Sequence, residues 1–362
     1  MIIREITEAD LDRVMAFSRQ VYGPNNIAFE PAYFDWQFMR CAGETHEDGC
    51  GALLALDNNN EVVATCLVGK YPVLINGQIV KGGWIQDWFA ASSTGGVGLA
   101  MFSKATNDLG FFGGAGVGQP AIAAMSLLMP GLTWFELERM FAVIDPQQTA
   151  ELCFATNTNT IDYLGSLRVP ASDPAVASEK LTLFDAAYDD VWSDIGVKYL
   201  ATTHRSSRFM NWRYIDHPLY EYQCYISRGS KGPVYYVWRD EKVANQEVSV
   251  GRICDVIGEP QAIAETFPSI FSVMARAGHA FVDFHCSNAA VNAALAAAGM
   301  QPVVSRPDFD LARLFQPLES APNRKLDYYY NLRANVDRLF SANYSLTYFT
   351  KSDSNQDRPN KY

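Results

Sequence analysis

The chain has 362 residues, 48% of them hydrophobic, with a net charge of −11 and a pI near 5.0. Because single domains stop growing at about 250 to 300 residues, this length and apolar content predict two domains with a large core. The acidic balance argues against a general binder of the nucleic-acid backbone, which would need a basic face.

Targeting and redox features predict a cytoplasmic protein with reduced thiols. Acidic residues interrupt the first ten positions, and the longest apolar stretch, "QPAIAAMSLLMPG", is shorter than the roughly 20 residues that span a bilayer. We therefore expect no membrane partner. The seven cysteines form no CxxC pair, and Cys41, His46 and Cys50 are too loosely spaced for a metal signature.

The first elements along the chain predict a strand, a helix and a run of antiparallel strands. "MIIREI" is typical of a strand, and Thr7 followed by Asp10 predicts a capping box that starts an amphipathic helix. The β-rich stretches "GALLALD", "EVVATCLVGKYPVLI" and "QIVKGGWIQDWFA" follow. Asn76-Gly77 predicts a tight hairpin, since both residues tolerate positive φ.

A helix from Gly98 to Asn107, a strand near "LGFFGG" and a helix from about Pro120 to Leu128 complete the predicted first half. This order of elements predicts an α/β fold of the α+β kind, a mostly antiparallel mixed sheet flanked by helices. It does not predict a doubly wound sheet.

The second half repeats features of the first half in the same order. "YFDWQF" around Trp36 is echoed by "FMNWRY" around Trp212, and "GWIQDW" with Asp87 is echoed by "GRICDV" with Asp255. Similar offsets in one order indicate a duplicated domain. We predict domains at 1–165 and 180–350, separated by a segment rich in Pro, Ser and Ala, and a polar tail at 351–362.

The glycine-rich loop "QDWFAASSTGGVGLAMFSKA", residues 86–105, is the strongest functional signal. A strand that ends in such a loop and leads into a helix exposes several backbone N–H groups at the helix N-terminus, which favours a pyrophosphate. A Walker A loop is excluded because Gly98 is followed by Leu99 and Ala100 instead of lysine and Ser or Thr. The alternative is a flexible turn of small residues.

The loop together with the order of elements resembles the GCN5-related N-acetyltransferase superfamily. That family places a Q/R-x-x-G-x-G/A loop after a three-strand meander, and Ser93 stands here in place of the usual Gln or Arg. The resemblance implies a tandem pair of such domains and a site for acetyl coenzyme A in the first. It implies the following cofactor contacts: Trp88, Phe89 and Ala90 along the strand, and Ser93, Thr94, Gly95, Gly96, Val97 and Gly98 in the loop.

Asp87 is the candidate catalytic base, because the family often places a carboxylate on the strand before the loop. Strand alternation predicts that Ile85, Asp87 and Phe89 share one face of the sheet. Asp87 could instead cap a turn or pair with a cation. The family's usual acid, a helix tyrosine, is replaced here by Leu127, so Ser126 or a residue of the second half would have to supply the proton.

The second half offers further candidates for catalysis and for binding of the acceptor. Asp283 and His285 lie two apart on one predicted strand, close enough for a carboxylate to orient an imidazole, although such a histidine can also be structural. The basic cluster of Arg205, Arg208 and Arg213 could bind an anionic group of an acceptor, or form a solvated helix.

Only the first half is expected to bind the cofactor, because the corresponding loop in the second half holds Glu259 and Pro260. The resemblance implies transfer of an acetyl group to a primary amine of a small polar acceptor, such as a nucleotide-linked amino sugar of surface polysaccharide synthesis. The alternatives are a non-catalytic tandem module that binds a metabolite or partner, and an aminoacyl transferase with the same duplicated fold.

Overall fold

The structure is a computed structural model of the chain. The residues that it describes are 1–23, 30–40, 51–91, 94–116, 122, 125, 126, 129, 131–154, 159–169, 177–243, 247–304, 309–311, 313–315, 319–321, 327–332 and 343–354.

Two seven-stranded mixed sheets form the framework, as the sequence predicts. The first sheet has the order β1-β2-β3-β6-β7-β19-β8, and all its neighbours are antiparallel except β6 and β7. Its strands are β1 Ile2–Glu5, β2 Ala52–Leu56, β3 Val62–Lys70, β6 Gly82–Ala90, β7 Phe111–Ala115, β8 Thr133–Glu136 and β19 Asp327–Leu332.

The second sheet has the order β10-β12-β13-β14-β15-β9-β16, with β14 and β15 as its parallel pair. Its strands are β9 Glu138–Val143, β10 Ser178–Lys180, β12 Gln223–Gly229, β13 Gly232–Lys242, β14 Ser249–Ile257, β15 Phe281–Cys286 and β16 Gln301–Pro302. The parallel pair lies in the same place in both sheets, so the tandem fold is confirmed.

Each sheet takes one strand from the other half of the chain. β19 lies next to β7 in the first sheet, and β9 lies next to β15 in the second sheet. The sheets also share one hydrophobic core, in which Trp84 and Phe135 join Ile253 and Phe284. Both sheets therefore contain strands from either side of the predicted boundaries at 165 and 180. Those boundaries remain a prediction about the linker in the sequence.

A small sheet connects the two halves at the predicted hairpin. Asn76 and Gly77 have φ of 48° and 75°, and they join β4 Val73–Ile75 to β5 Gln78–Val80, as the Asn-Gly pair predicts. This hairpin leaves the main sheet and pairs with β11 Ala201–Thr203 of the second half. β17 Arg313–Phe315 and β18 Glu319–Ala321 form a separate hairpin.

Helices cover the sheets and connect their strands. They are α1 Leu11–Tyr22, α2 Pro31–Phe34, α3 Val97–Thr106, α4 Pro146–Glu151, α5 Thr160–Ser166, α6 Ala186–Gly196, α7 Ser207–Met210, α8 Pro260–Arg276 and α9 Ala289–Ala297. Glu8–Asp10 and Tyr344–Leu346 are 3-10 turns, and Asp35–Met39 and Asn211–Ile215 are π-helical. No helix in the described part of the chain has the length and apolar character to cross a membrane.

Two sequence motifs have clear structural counterparts. Thr7 and Asp10 form the predicted capping box, and Asp10 also binds the guanidinium of Arg4. The echoed tryptophans meet each other: the rings of Trp36 and Trp212 stack with centroids 4.4 Å apart, and Trp36 Nε1 donates to the Trp212 carbonyl at 3.2 Å. Equivalent π-helical turns of the two halves thus pack together.

The structure corrects the prediction that a polar tail begins at residue 351. Lys351, Ser352, Asp353 and Ser354 are buried, and polar groups of this segment are paired with both halves: Tyr71 Oη donates to the Asp353 carbonyl, and Ser352 Oγ donates to the Cys254 carbonyl. A polar sequence can lie in a core when its groups are paired, and composition alone does not show the partners. Residues 355–362 lie outside the described residues.

Candidate active site

A β-bulge shapes β6 at the predicted cofactor strand. β3 pairs Leu67 with Asp87 and Val68 with Ile85, which leaves Gln86 as the extra residue. The bulge changes the strict alternation that the sequence predicts. Ile85 packs in the same cluster as Trp88 and Ala90, while Phe89 contacts Phe17 of α1 on the other side.

Beyond the bulge, β6 and β7 part. Their parallel pairing covers only Gly82–Ile85 with Phe111–Gly114, whereas β3 pairs with β6 along its whole length up to Ala90. In the described part of the chain, no strand pairs with the other edge of residues 86–90. A place where two parallel strands diverge is one where an extended ligand arm can add to a sheet.

The glycine-rich loop lies at the end of this opening. Gly95 and Gly96 have φ of 40° and 77°, and a Cβ added to either residue would meet no atom within 4 Å. Helix α3 begins at Val97, so the first amides of the helix lie beside this open space. Gly98 has a packing role instead, because Trp88 Nε1 donates to its carbonyl at 3.0 Å.

Of the other predicted loop residues, Thr94 caps the loop and Ser93 lies outside the described residues. Thr94 donates its amide and hydroxyl to the Ala91 carbonyl, at 3.0 and 2.6 Å. The helix predicted at Pro120 to Leu128 falls largely outside the described residues, and so does Leu127. Ser126 is one of the described residues of that stretch, and it is exposed.

Asp87, the candidate base, is buried with 9% of its surface exposed, directly after the bulge. Buried polar groups that sequence reasoning missed lie nearby. A Cβ built on Gly69 would lie 2.5 Å from Gln86 Nε2 and 2.8 Å from Gln37 Nε2, so these two amides converge over β3. These buried amides follow from the bulge at Gln86, which depends on the register between β3 and β6 and is therefore not visible in the local sequence.

Tyr71 borders the same region and connects it to the second half. Its hydroxyl donates to the Asp353 carbonyl, and burial, together with the negative charge of Asp353, raises the pKa of the Tyr71 phenol well above its usual range. Tyr71 therefore keeps its proton at neutral pH. The Gln86 side chain also bonds to Tyr71.

The equivalent opening in the second half is filled by protein. β14 has a matching bulge at Cys254, and its pairing with β15 covers only Gly251 and Arg252. Beyond that point, Val256 N donates to Tyr348 Oη at 2.9 Å, and Thr350 bridges to Cys286. We call Thr347–Ser354, which is buried throughout, the C-terminal wedge.

Two of the three predicted substrate arginines hold this wedge. Arg205 is 1% exposed and donates to Asp255 at 2.9 Å and to Asp353 at 2.8 Å. Burial lowers the pKa of Arg205, but the two carboxylates outweigh burial and raise it. Arg213 is also buried and donates to Tyr222 Oη at 3.1 Å. Arg205 and Arg213 therefore do not form a surface for an acceptor substrate. Of the three arginines, Arg208 is the exposed one.

Asp283 and His285 do not form the expected pair. Asp283 is buried and accepts from Arg139 Nε at 3.0 Å and from Arg252 Nε at 3.4 Å, and no bond to His285 is found within the described residues. Burial opposes ionisation of Asp283, but the two arginines hold its pKa well below the usual range. Burial, followed by the charge of Lys351, lowers the pKa of His285 well below 6.5, so its imidazole is neutral.

The predicted catalytic residues therefore lie in different sheets. Asp87 is on β6 of the first sheet, and Asp283 and His285 are on β15 of the second sheet. In the described part of the chain, no group of His, Cys, Asp and Glu side chains could hold a metal ion.

Solved structures with the same fold include acyltransferases. The chain is similar to Saccharomyces cerevisiae N-myristoyltransferase with bound myristoyl-CoA, at a TM-score of 0.56 and 9% identity, over 91% of this chain and 82% of that one. It is also similar to a GCN5-related N-acetyltransferase from Kribbella flavida, at 0.53 and 14%, over 92% and 72%. A further GCN5-related N-acetyltransferase, from Anabaena variabilis, gives 0.51 and 10%, over 92% and 72%.

These similarities establish the fold: the chain has the tandem architecture of GCN5-related N-acyltransferases over about nine-tenths of its length. No protein-family model matches the chain, and no curated protein matches its sequence. At this level of identity, function has to be argued from the site.

Proposed function

We propose that the chain is an acyl-CoA-dependent N-acyltransferase that moves an acetyl group to a primary amine of a small polar acceptor. The observation that carries this proposal is the parting of β6 and β7 beside a glycine loop that faces open space. The similar enzymes N-myristoyltransferase and GCN5-related N-acetyltransferase support the reaction class. Amino sugars, including nucleotide-linked ones, are the first acceptors in the test panel.

The residues at this opening fit an acyl coenzyme A. The β6 backbone at Trp88, Phe89 and Ala90, which lies past the end of the pairing with β7, would pair with the pantetheine amides as an added strand does. Amides from Gly95 to Gly98 would surround the pyrophosphate, where the helix dipole of α3 favours negative charge. When bound, acyl coenzyme A supplies an activated acyl thioester.

The chain's own contribution to the chemistry would centre on Asp87. Acyl transfer to an amine requires that the ammonium lose its proton first, and a buried carboxylate beside the opening can take it directly or through water. The backbone edge of β6 would orient the acyl group, and burial of the bulge would limit access of water.

The C-terminal wedge supports a single cofactor site. A pantetheine arm in the second half would have to displace Tyr348, whose hydroxyl occupies the β14 edge, and break the buried pair of Arg205 and Asp353. Glu259, two residues after β14, places a carboxylate paired with Lys198 where a pyrophosphate would lie, and Pro260 lacks an N–H to donate. Shape and charge both disfavour a second site.

Binding is tested by calorimetric titration of the intact chain with acetyl coenzyme A. Gly96→Val should weaken binding about tenfold or more, equivalent to about 1.4 kcal/mol, because a side chain would enter the pyrophosphate space. Gly232→Val is the matched control, since Gly232 also has positive φ, 116°, and open space but is the first residue of β13, beside the turn that follows β12. No binding by the intact chain, or equal effects of both substitutions, would refute the cofactor assignment.

Catalysis is tested by thiol release and product mass spectrometry over a panel of amino sugars, amino acids and polyamines. Asp87→Asn should lower kcat and leave the affinity for acetyl coenzyme A unchanged. Binding without thiol release for any amine would favour the non-catalytic module, and transfer of a longer acyl group would correct the acetyl assignment.

A further inference from the structure

Tyr329 brings a phenol from the second half of the chain to the point where β6 and β7 separate. It lies on β19, and its backbone is paired with Gly114 of β7. Gly114 is also the last residue of β7 that pairs with β6, opposite Ile85. A Cβ built on Gly114 would lie 2.6 Å from Tyr329 Cζ, so the phenol lies directly over this glycine. A larger residue at position 114 would displace it.

The Tyr329 side chain lies on the face of the first sheet that α3 covers. It packs in one cluster with Ile85 of β6 and with Met101 and Phe102 of α3. This helix begins at the glycine loop to which the pyrophosphate is assigned above. The phenol therefore shares a face of the sheet with the helix whose first amides would hold the cofactor.

The Tyr329 hydroxyl makes no hydrogen bond within the described residues, although the side chain is only 1% exposed. The hydroxyls on either side of it along β19 are paired: Tyr328 Oη accepts from Ser354 Oγ at 2.8 Å, and Tyr330 bonds to Thr133. A buried phenol normally has a partner, because an unpaired polar group costs free energy. The fold itself therefore does not use the hydroxyl of Tyr329.

The surroundings of Tyr329 keep its phenol protonated. Burial, followed by the neighbouring thiol of Cys66, raises the pKa of Tyr329 above its usual range. Burial also raises the pKa of the Cys66 thiol to about 12, so both groups are neutral at pH 7. A free thiol has a pKa of about 8.5. A phenol with a much higher pKa keeps its proton beside a thiolate, but it can donate a strong hydrogen bond to that charge.

The cofactor opening directs a thioester toward this hydroxyl. With a pyrophosphate at the glycine loop, the pantetheine arm would run back along β6 from Ala90 toward the bulge at Gln86. These four residues span about 13 Å of strand, so the sulfur end of the arm would reach the place where β6 meets β7. Gly114 lies one strand spacing from there, about 4.8 Å, with the phenol of Tyr329 over it.

We propose that Tyr329 Oη donates a hydrogen bond to the sulfur that leaves during acyl transfer, a role that rests on the function proposed above. In the transfer, a bond forms between the amine nitrogen and the acyl carbon, and the C–S bond breaks with its electron pair on sulfur. The proton of the amine passes to Asp87 or its water, and Tyr329 stabilises the thiolate until solvent protonates it. The exchanged strand β19 thus brings in a hydroxyl that Leu127 lacks.

Binding of free coenzyme A tests this hydrogen bond without any acceptor. A thiol ionises with a pKa of about 8.5, so calorimetry at pH 7 and at about pH 9.5 compares the thiol with the thiolate. At the higher pH, Tyr329→Phe should bind coenzyme A about five- to tenfold more weakly than the unchanged chain does. It should bind acetyl coenzyme A, whose sulfur cannot ionise, as well as the unchanged chain at both pH values.

Turnover and stability complete the test. Tyr329→Phe should lower kcat for thiol release about 10- to 100-fold with an unchanged KM for acetyl coenzyme A. Its thermal midpoint should not fall, because the lost hydroxyl has no partner in the fold. Tyr330→Phe, which removes a hydroxyl on the opposite face of β19, is the matched control and should leave kcat unchanged. Gly114→Ala is the second variant, and it should lower kcat because its methyl group would displace the phenol.

The outcomes separate this role from the proposed function. Thiol release by Tyr329→Phe at the unchanged rate, equal binding of coenzyme A at the higher pH, or an equal loss in Tyr330→Phe would overturn the role of Tyr329 and leave the acyltransferase proposal intact. If the affinity for coenzyme A depends on Tyr329 at the higher pH but no amine releases thiol, the hydrogen bond stands and the transfer proposal fails. Absence of binding by both coenzyme A and acetyl coenzyme A would refute both proposals.

Discussion

Asp353→Asn tests whether the C-terminal wedge is held by buried charge. Asp353 is 1% exposed, and its Oδ2 accepts from Arg205 Nη2 at 2.8 Å and from Thr350 N at 2.6 Å. Its Oδ1 accepts no hydrogen bond from any described residue. Asparagine would keep the shape and one oxygen for Arg205 and Thr350, and its amide nitrogen would replace an atom that is already unpaired, so charge is the main change.

The expected loss follows from what Arg205 retains. Removing one partner of a buried ion pair costs about 3 to 5 kcal/mol when the other charge is left alone. Here Asp255 still accepts from Arg205 Nε at 2.9 Å, so Asp353→Asn should cost about 2 to 3 kcal/mol, the value of a charged hydrogen bond. Asp255→Asn should cost more, because Asp255 also accepts from Tyr214 and Tyr348 and an amide N–H would face donors.

Urea unfolding followed by tryptophan fluorescence measures both changes. We expect one cooperative transition, because Trp84 and Ile253 of different sheets lie in one core. Hydrogen exchange should show faster opening of Thr347–Ser354 in the Asp353→Asn variant. A free-energy loss below about 0.5 kcal/mol, the size of an ordinary surface change, would refute the argument, and so would a smaller loss for Asp255→Asn than for Asp353→Asn.

Three further predictions concern stability. The pKa of His285 in the folded chain lies well below 6.5, so its contribution to the free energy of unfolding is fully present above that pH. As pH falls below 6.5, the free energy of unfolding should decline by at most about 1.4 kcal/mol per pH unit, because the unfolded chain takes up the proton first. His285→Gln should reduce this slope in urea titrations from pH 7 to 5. Gly113→Val should lower the free energy of unfolding by about 1 to 3 kcal/mol, and with it the midpoint temperature of thermal unfolding, because its Cβ would lie 2.7 Å from the Trp84 ring. An unchanged midpoint would contradict this packing. Asp10, whose pKa is held well below its usual range chiefly by Arg4, stabilises the fold fully above about pH 4 and loses this effect progressively as pH falls from there toward its lowered folded pKa; Asp10→Asn should cost about 2 kcal/mol at pH 7 and less at pH 3, as measured by urea unfolding at both pH values.

Local patterns in the sequence predicted several elements of the first half well. The Thr7–Asp10 capping box, the Asn76-Gly77 hairpin and the helix after the glycine loop all depend on contacts within a few residues. The duplicated order of elements was also visible, because the two halves repeat their motifs at similar offsets. Such features need no knowledge of distant partners.

Residues whose role depends on long-range pairing were predicted less well. Arg205 and Arg213 suggested a basic surface, but their partners Asp255 and Tyr222 place them in the core. Asp283 was expected to orient His285 two residues away, yet Arg139, which is 144 residues away in sequence, binds its carboxylate. A local motif shows which charges are close along the chain and does not show which opposite charges the fold brings to them.

The sequence by itself determined the class of fold and the position of the glycine loop, because hydrophobic period, caps and turn residues act over short distances. Only the tertiary structure decided how the two halves differ where their parallel strands diverge. The exchange of β9 and β19, the bulge at Gln86 and the wedge at Thr347–Ser354 all arise from pairing between distant segments. Since buried backbone groups need hydrogen-bond partners, the C-terminal wedge pairs with β14 in the second half, whereas no described strand takes that place beside β6.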